Sequence, residues 1–111
     1  MKKYNKLVRD KIPDIMGALG KNFNTRTLDE PEYAESLRKK LQEESEEYLN
    51  ADNNQDALKE LADVLEVMHA LVQTHGATFE ELEHIRQHKR KERGAFKDRV
   101  YLMDVEEERN A

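Results

Sequence analysis

The stretch that decides the fold is KLQEESEEYL at residues 40–49, followed after a short polar interruption by LKELADVLEV at residues 58–67. Each segment carries two acids that stand three positions apart, and these are Glu44 with Glu47 and Glu60 with Asp63. In an α-helix each residue advances about 100° around the axis, so positions i and i+3 share a face. The two segments therefore present matching acid pairs in the same helical register.

The first acid of each pair lies on the apolar face of its helix. In the first segment the apolar residues fill an arc of about 100°, and Glu44 lies about 20° from Leu37 within it. In the second segment Glu60 lies between the directions of Val67 and Leu71, and the second acid of each pair lies at one edge of the arc. Because a carboxylate buried without a counter-charge loses several kcal/mol of hydration, these positions require an explanation.

Two helices that packed through these faces would bring four carboxylates together, and mutual repulsion would protonate some of them unless a cation intervened. Oxygen-only ligands suit a hard divalent ion, Mg²⁺ above all, with Mn²⁺ as a substitute. A single acid pair is explained more simply by chance on a solvated face, because acids are abundant in this chain. Two pairs matched in angle favour a metal site, and the predicted ligands are Glu44, Glu47, Glu60 and Asp63.

The composition indicates a small acidic protein with a lean core. A chain of 111 residues predicts one domain over 1–111, in which only about two-thirds of the unfolded surface becomes buried. Apolar residues make up 37% and charged residues 39%, so some apolar surface is expected to meet another subunit in a homodimer or homotetramer. The net charge of −5 argues against stable nucleic-acid binding and favours a small-molecule partner.

Several classes of protein are excluded by the residues that the chain lacks. It contains no cysteine, so disulfides, thiolate nucleophiles and Cys-ligated zinc are impossible. The opening MKKYNKLVRDK at 1–11 is basic but lacks a following apolar run, and no segment approaches the roughly 18 apolar residues of a membrane span. We therefore expect a cytoplasmic protein without a membrane partner.

Capping and stop signals predict four helices. The first is expected from Pro13 to about Gly20, and the second from a capping box at Asp29 with Glu32 to about Leu49. The third is expected from 54–56 to about Gly76, and the fourth from a second capping box at Thr78 with Glu81 to about Gly94. Weaker strand character at 24–28 and 99–103 predicts a minor short β ladder. Because the connections are short, the predicted fold is all-α, a small antiparallel helical bundle.

Basic residues are concentrated in HKRKERGAFKDR at 88–99. Lys89 and Arg93, spaced i,i+4, are candidates for binding a polyphosphate, with Arg gripping two oxygens and Lys supplying a point charge. The simpler alternative is a solvated helix end whose cations interact with the helix dipole. Lys6, Arg9 and Lys11 form a smaller basic set, in which Lys6 and Arg9 are the further candidates for substrate contact.

Two E-x-x-H pairs, Glu66 with His69 and Glu81 with His84, have the spacing that bundle proteins with paired iron or manganese ions use. Both pairs lie away from the apolar arcs of their helices, which favours solvated surface. The spacing alone nevertheless keeps a di-metal redox bundle as an alternative to the acid site.

The acid pattern E-E-x-x-E followed by E-x-x-D resembles the signature of the MazG-like all-α nucleoside triphosphate pyrophosphohydrolases. Its members here are Glu43, Glu44, Glu47, Glu60 and Asp63. YNKLVRDKIPDI at 4–15 and R-G-x-F at 93–96 are similar to one branch of that superfamily, described as house-cleaning pyrophosphatases. Ala95 stands where that branch would place a second glycine.

The resemblance implies Mg²⁺-dependent hydrolysis of a nucleoside triphosphate, canonical or not, at the α–β phosphate bond, which yields a monophosphate and pyrophosphate. It implies catalytic roles for Glu43 and Glu44 and charge stabilisation by Lys89 and Arg93. Because Glu43 lies about 100° from Glu44, it is expected to be an outer partner of the ligands or a base acting through water. It also implies an assembly of two or four subunits. The alternatives are phosphoribosyl-ATP pyrophosphohydrolase, the iron or manganese bundle, and a helical interaction module with no activity.

Overall fold

The computed structural model describes residues 2–107, and this part of the chain contains four α-helices and no strand. The helices are α1 (Ile12–Ala18), α2 (Glu30–Leu49), α3 (Asn54–Thr74) and α4 (Phe79–Arg93). The predicted all-α small helical bundle is thereby confirmed. In the described residues, no helix combines the length and the hydropathy that a membrane crossing requires.

The two long helices begin at side-chain caps. Asp29 accepts a hydrogen bond from the backbone N–H of Glu32 at 2.9 Å, as the capping box predicted. Asn53 does the same for the N–H of Asp56, also at 2.9 Å. Each cap satisfies a donor that the first turn of a helix leaves open, and so defines where α2 and α3 start.

The predicted glycine stops are confirmed for α3 and α4. Gly76 has φ 70° and Gly94 has φ 83°, a left-handed conformation that residues with a Cβ rarely adopt. Gly94 also donates its N–H to the carbonyl oxygen of Arg90 at 2.8 Å, which closes the last turn of α4. Both helices therefore end just before a glycine in the left-handed conformation.

The fold divides into two compact units, Met1–Phe79 and Glu80–Ala111. In the first unit α2 packs against α3, and because only residues 50–53 join them, the two helices run antiparallel. Leu37 of α2 and Val67 and Val72 of α3 are the buried apolar residues of the described chain. The second unit holds most of α4 and the segment that follows it.

The core is as lean as the composition predicts. On α3, Leu58, Leu61 and Leu65 remain 67%, 44% and 46% exposed, respectively. These three leucines have the i, i+3, i+7 spacing that places them on one face of the helix. The first unit therefore carries an apolar stripe that it does not bury itself.

The predicted β ladder between 24–28 and 99–103 is wrong, because neither range forms a strand in the structure. Arg99 has φ 58°, and this left-handed conformation is incompatible with an extended strand. The residues after it, Val100 to Met103, are all exposed. The β-branched and aromatic residues of this segment thus lack the packing that normally makes such residues strand formers.

Leu37→Ala is expected to lower the free energy of unfolding by about 2 to 5 kcal/mol, because the deleted atoms leave a cavity that the small core cannot refill. Urea denaturation followed by circular dichroism measures this loss. Leu19→Ala removes the same atoms from an exposed side chain and is expected to change stability by less than about 0.5 kcal/mol. Equal losses in the two variants would contradict the assignment of Leu37 to the core.

Candidate metal centre

Three of the four predicted metal ligands converge between α2 and α3. Glu44 and Glu47 of α2 and Glu60 of α3 each offer a carboxylate oxygen, and these oxygens lie within 4.8 Å of one another. No other group of three or more His, Cys, Asp or Glu residues meets this spacing in residues 2–107. The acids that the sequence places in matching helical register are therefore close together in the structure, except for Asp63.

Two oxygens of this cluster are buried without a partner. Glu44 is only 7% exposed, and Glu60 is half-buried. Within the described part of the chain, neither Oε2 of Glu44 nor Oε2 of Glu60 has a hydrogen-bond partner. A buried carboxylate oxygen left bare is costly, so the pair of open oxygens fits the donor positions of a cation site.

A lysine that the sequence interpretation missed lies beside the cluster. Lys40 Nζ is 3.4 Å from Glu44 Oε1 and 3.5 Å from Glu43 Oε2, and its side chain is only 16% exposed. Its i,i+4 spacing from Glu44 is the available signal, but such pairs are common on any helix. Lys40 contacts Oε1 of Glu44, and Oε2 of the same carboxylate has no hydrogen-bond partner among the described residues.

The electrostatics of Glu44 reflect this incomplete compensation. Burial raises the pKa of the Glu44 carboxyl above its ordinary value, and the neighbouring carboxylate of Glu47 raises this pKa further. Lys40 acts in the opposite direction without cancelling the other two effects. Without a cation the raised pKa lets Glu44 hold its proton to a higher pH than an exposed glutamate does, and a positive ion beside it would favour the ionised form.

The remaining signature acids contact the N-terminal basic residues. Asp63 Oδ1 lies 2.6 Å from Arg9 Nη2, and Glu43 Oε1 lies 3.5 Å from Lys6 Nζ. Asp63 is the one predicted ligand that is not part of the converging group. Lys6 and Arg9, predicted as substrate contacts, are thus adjacent to the acids of the signature.

A small pocket of about 100 Å³ lies between the N-terminal segment and α2. Its lining is rich in lysine and consists of Asn5, Lys6, Leu7, Ser36, Lys39, Lys40 and Glu43. Its lysines and Ser36 carry donors that suit phosphate oxygens, although Lys6 and Lys40 already contact the Glu43 carboxylate on the same lining. The pocket shares Glu43 and Lys40 with the surroundings of the acid cluster.

The other basic candidates, Lys89 and Arg93, lie in the second unit near the end of α4. Both side chains are exposed. Their neighbour His88 lies 2.8 Å from Glu92, one turn further along the helix. The phosphate-binding role of Lys89 and Arg93 stays a prediction.

The histidine-containing pairs are not part of the acid cluster. His69 stacks on Phe79 with ring centroids 3.6 Å apart and planes 10° from parallel. Glu66 is exposed, and no histidine joins the converging carboxylates in the described residues. The donor set is therefore made of oxygen alone, and such a set can hold a hard divalent cation.

A comparison with protein-family models matches residues 14–90, more than two thirds of the chain, to a family described as phosphoribosyl-ATP pyrophosphohydrolase. The matched range contains all five signature acids together with Lys40 and Lys89, whereas Lys6, Arg9 and Arg93 lie outside it. Comparisons with curated proteins and with solved structures gave no significant match.

Glu44→Gln is expected to raise the melting temperature of the metal-free protein at neutral pH. Because the pKa of Glu44 is higher in the folded state than in the unfolded chain, the stability that Glu44 contributes is present below its unfolded pKa and is lost as pH rises through its folded pKa. The advantage of the variant should therefore vanish in acid, where the wild-type carboxyl is protonated. Thermal melts in the presence of a chelator, across that pH range, measure the difference.

Glu46→Gln is the matched control for this experiment. Glu46 is an exposed glutamate of the same helix, and its neutralisation should leave the shape of the pH–stability curve unchanged. A melting temperature for Glu44→Gln equal to that of wild type at neutral pH would show that the buried charge is already compensated.

Proposed function

Because the chain belongs to the phosphoribosyl-ATP pyrophosphohydrolase family, within the MazG-like all-α superfamily, we propose that it hydrolyses a nucleotide at the bond between the α and β phosphates. The products are a nucleoside monophosphate, or its phosphoribosyl derivative, and pyrophosphate. The observation that carries the proposal is the convergence of three carboxylates, two of which have a buried oxygen without a hydrogen-bond partner in the described residues. A cytoplasmic setting belongs to the same proposal.

The cofactor in this proposal is Mg²⁺, with Mn²⁺ as a substitute. Glu44, Glu47 and Glu60 would hold the ion, and Asp63 is the fourth ligand that the sequence predicts. Their all-oxygen chemistry and the two open Oε2 atoms support this assignment. When bound, the divalent ion neutralises phosphate charge and lowers the pKa of a water molecule.

The side chains around the cluster have proposed roles in proton transfer and phosphate binding. Glu43 is the proposed base and accepts a proton from the attacking water, whose oxygen forms a bond to the α phosphorus. The bond from that phosphorus to the bridging oxygen breaks, and pyrophosphate leaves with the electron pair. Lys6 and Lys40, which contact Glu43, are placed to bind phosphate oxygens beside that base.

Two basic residues of α4 are further candidates for substrate contact. Lys89 and Arg93 would stabilise the charge that develops on the departing pyrophosphate, with the guanidinium binding two oxygens at once. Arg9 would grip the phosphate chain in the same way from the N-terminal segment.

Two substrates fit the same chemistry. A nucleoside triphosphate, canonical or damaged, is the substrate that the sequence resemblance implies. Phosphoribosyl-ATP is the second candidate, and the description of the matching family favours it. Both present an α–β phosphate anhydride, so the acid cluster serves either one.

The activity test incubates the protein with Mg²⁺ and a panel of triphosphates that includes phosphoribosyl-ATP. We expect pyrophosphate rather than orthophosphate as the released product. Glu44→Gln and Glu60→Gln should each reduce kcat/KM more than about 100-fold, because even the outer partners of metal ligands cost 10–100-fold when removed. Glu46→Gln, which neutralises an exposed acid of α2, should retain wild-type activity.

Two results would reject the proposal. Predominant orthophosphate release would show cleavage at a different phosphorus. Undiminished activity in Glu44→Gln and Glu60→Gln would show that the cluster is not the active site.

The proposed assembly is a homodimer or a homotetramer. The apolar stripe of Leu58, Leu61 and Leu65 on α3 supports it, since these side chains are spaced along one face and left partly exposed. A second copy of the same stripe is the simplest surface that would cover it, because symmetric dimers pair identical patches.

Leu61→Asp combined with Leu65→Asp is expected to shift the protein to a monomer in sedimentation velocity while its helical circular dichroism persists. Burying the two introduced charges at an interface would cost more than the contact returns. Gln73→Asp adds a charge at another exposed position of α3 and should leave the assembly intact. A wild-type protein that sediments as a monomer at micromolar concentration would contradict the proposed assembly.

A further inference from the structure

The N-terminal basic segment bridges the two helices that carry the acid cluster. Lys6 pairs with Glu43 on α2 and Arg9 with Asp63 on α3, although these partners are 37 and 54 positions away along the chain. The segment therefore contacts one signature acid on each helix. Neither of these two acids belongs to the converging trio.

The backbone holds Arg9 in place for this contact. Asn5 has φ 45°, a left-handed conformation that asparagine tolerates better than most residues, and the chain bends there before Lys6. The carbonyl oxygen of Arg9 accepts a hydrogen bond from the N–H of Ile12 at 3.1 Å, at the start of α1. Arg9 is thus anchored by the turn into α1 while its side chain reaches across to α3.

The position of Asp63 makes this contact consequential. Asp63 follows Glu60 by one helical turn, so the two side chains share a face of α3. Arg9 Nη2 holds Asp63 Oδ1 at 2.6 Å, while Glu60 turns toward Glu44 and Glu47. The guanidinium therefore holds one oxygen of the carboxylate that is predicted as the fourth metal ligand.

We propose that Arg9 is an exchangeable positioning residue, which holds Asp63 in the metal-free protein and releases it when a divalent ion binds the trio. This inference rests on the metal site of the proposed function. Once released, the guanidinium is free to bind phosphate oxygens, which accept its two-pronged hydrogen bonds. Arg9 thereby couples the completion of the metal site to the capture of the phosphate chain.

The exposure of the ion pair makes such an exchange feasible. The side chains of Arg9 and Asp63 are 57% and 36% exposed, respectively. Ion pairs this accessible to water are weak and are readily broken by a competing charge. A buried pair would instead have locked Asp63 away from the ion.

The test measures binding, independently of turnover. Isothermal titration with Mn²⁺ in the absence of nucleotide should show that Arg9→Gln binds the ion about two- to fivefold more tightly than wild type, which is the range expected for losing an exposed ion pair. In the presence of saturating Mn²⁺, the same variant should bind inorganic pyrophosphate at least about tenfold more weakly, because a charge-assisted hydrogen-bond donor is gone. Opposite changes in the two affinities are not expected from a residue that only supports the fold.

Two further variants separate the exchange from general charge effects. Lys11→Gln removes the same charge from the same segment, two residues beyond Arg9, and should leave Mn²⁺ affinity at the wild-type value. In an Asp63→Asn background, Arg9→Gln should no longer tighten Mn²⁺ binding, since the pair is already broken. Circular dichroism on each variant checks that the helices are retained.

The outcomes distinguish the two levels of inference. Equal tightening by Arg9→Gln and Lys11→Gln, or unchanged Mn²⁺ affinity in Arg9→Gln, would overturn the exchange and leave the metal site standing. A wild-type protein that binds Mn²⁺ no better than Glu44→Gln does would overturn the metal site, and the exchange with it.

Discussion

Two bare carboxylate oxygens in the contact between α2 and α3 are the constraint on which the rest of this structure depends. A helix pair with so few buried apolar residues would be expected to fill its interface with hydrocarbon, yet Glu44 and Glu60 stand within it. These incompletely paired acids weaken the metal-free fold, because the contacts that they form in the protein do not fully replace their lost hydration. The same arrangement would become favourable if a cation supplied the missing charge, so the stability of the fold and the proposed metal binding would depend on the same carboxylates.

The cations around the cluster compensate it only in part, and they do so from different parts of the chain. Lys40 approaches Glu44 from one turn earlier on α2, whereas Lys6 and Arg9 approach Glu43 and Asp63 from the N-terminus. Lys6 and Lys40 together contact both oxygens of Glu43, whereas Oε2 of Glu44 and Oε2 of Glu60 have no hydrogen-bond partner in the described residues. Three cationic side chains thus lie beside the signature acids, an arrangement that is compatible with the proposed binding of a metal ion and a polyanion.

Much of this arrangement could be predicted from the sequence because it depends on helical periodicity. The Asp29 cap, the glycine stops of α3 and α4 and the inward direction of Glu44 and Glu60 follow from spacing alone, and the structure confirms them. The contact of Arg9 with Asp63 could not be predicted, because the two residues are 54 positions apart and Arg9 lies in a non-helical segment with no periodic signal. The ladder prediction failed because strand propensity acts only where side chains find packing partners, which residues 100–103 do not.

The four-residue turn between α2 and α3 restricts how the chain can change length. Glu44 and Glu60 stand equally far from Asp52 in that turn, so they meet at the same level of the hairpin. An insertion or deletion within either arm, between an acid and the turn, would slide one carboxylate by about 1.5 Å and rotate it by about 100° for each residue. Homologous chains should therefore vary in length before α2 and after α4, and keep the spacing from the first acid pair to the second.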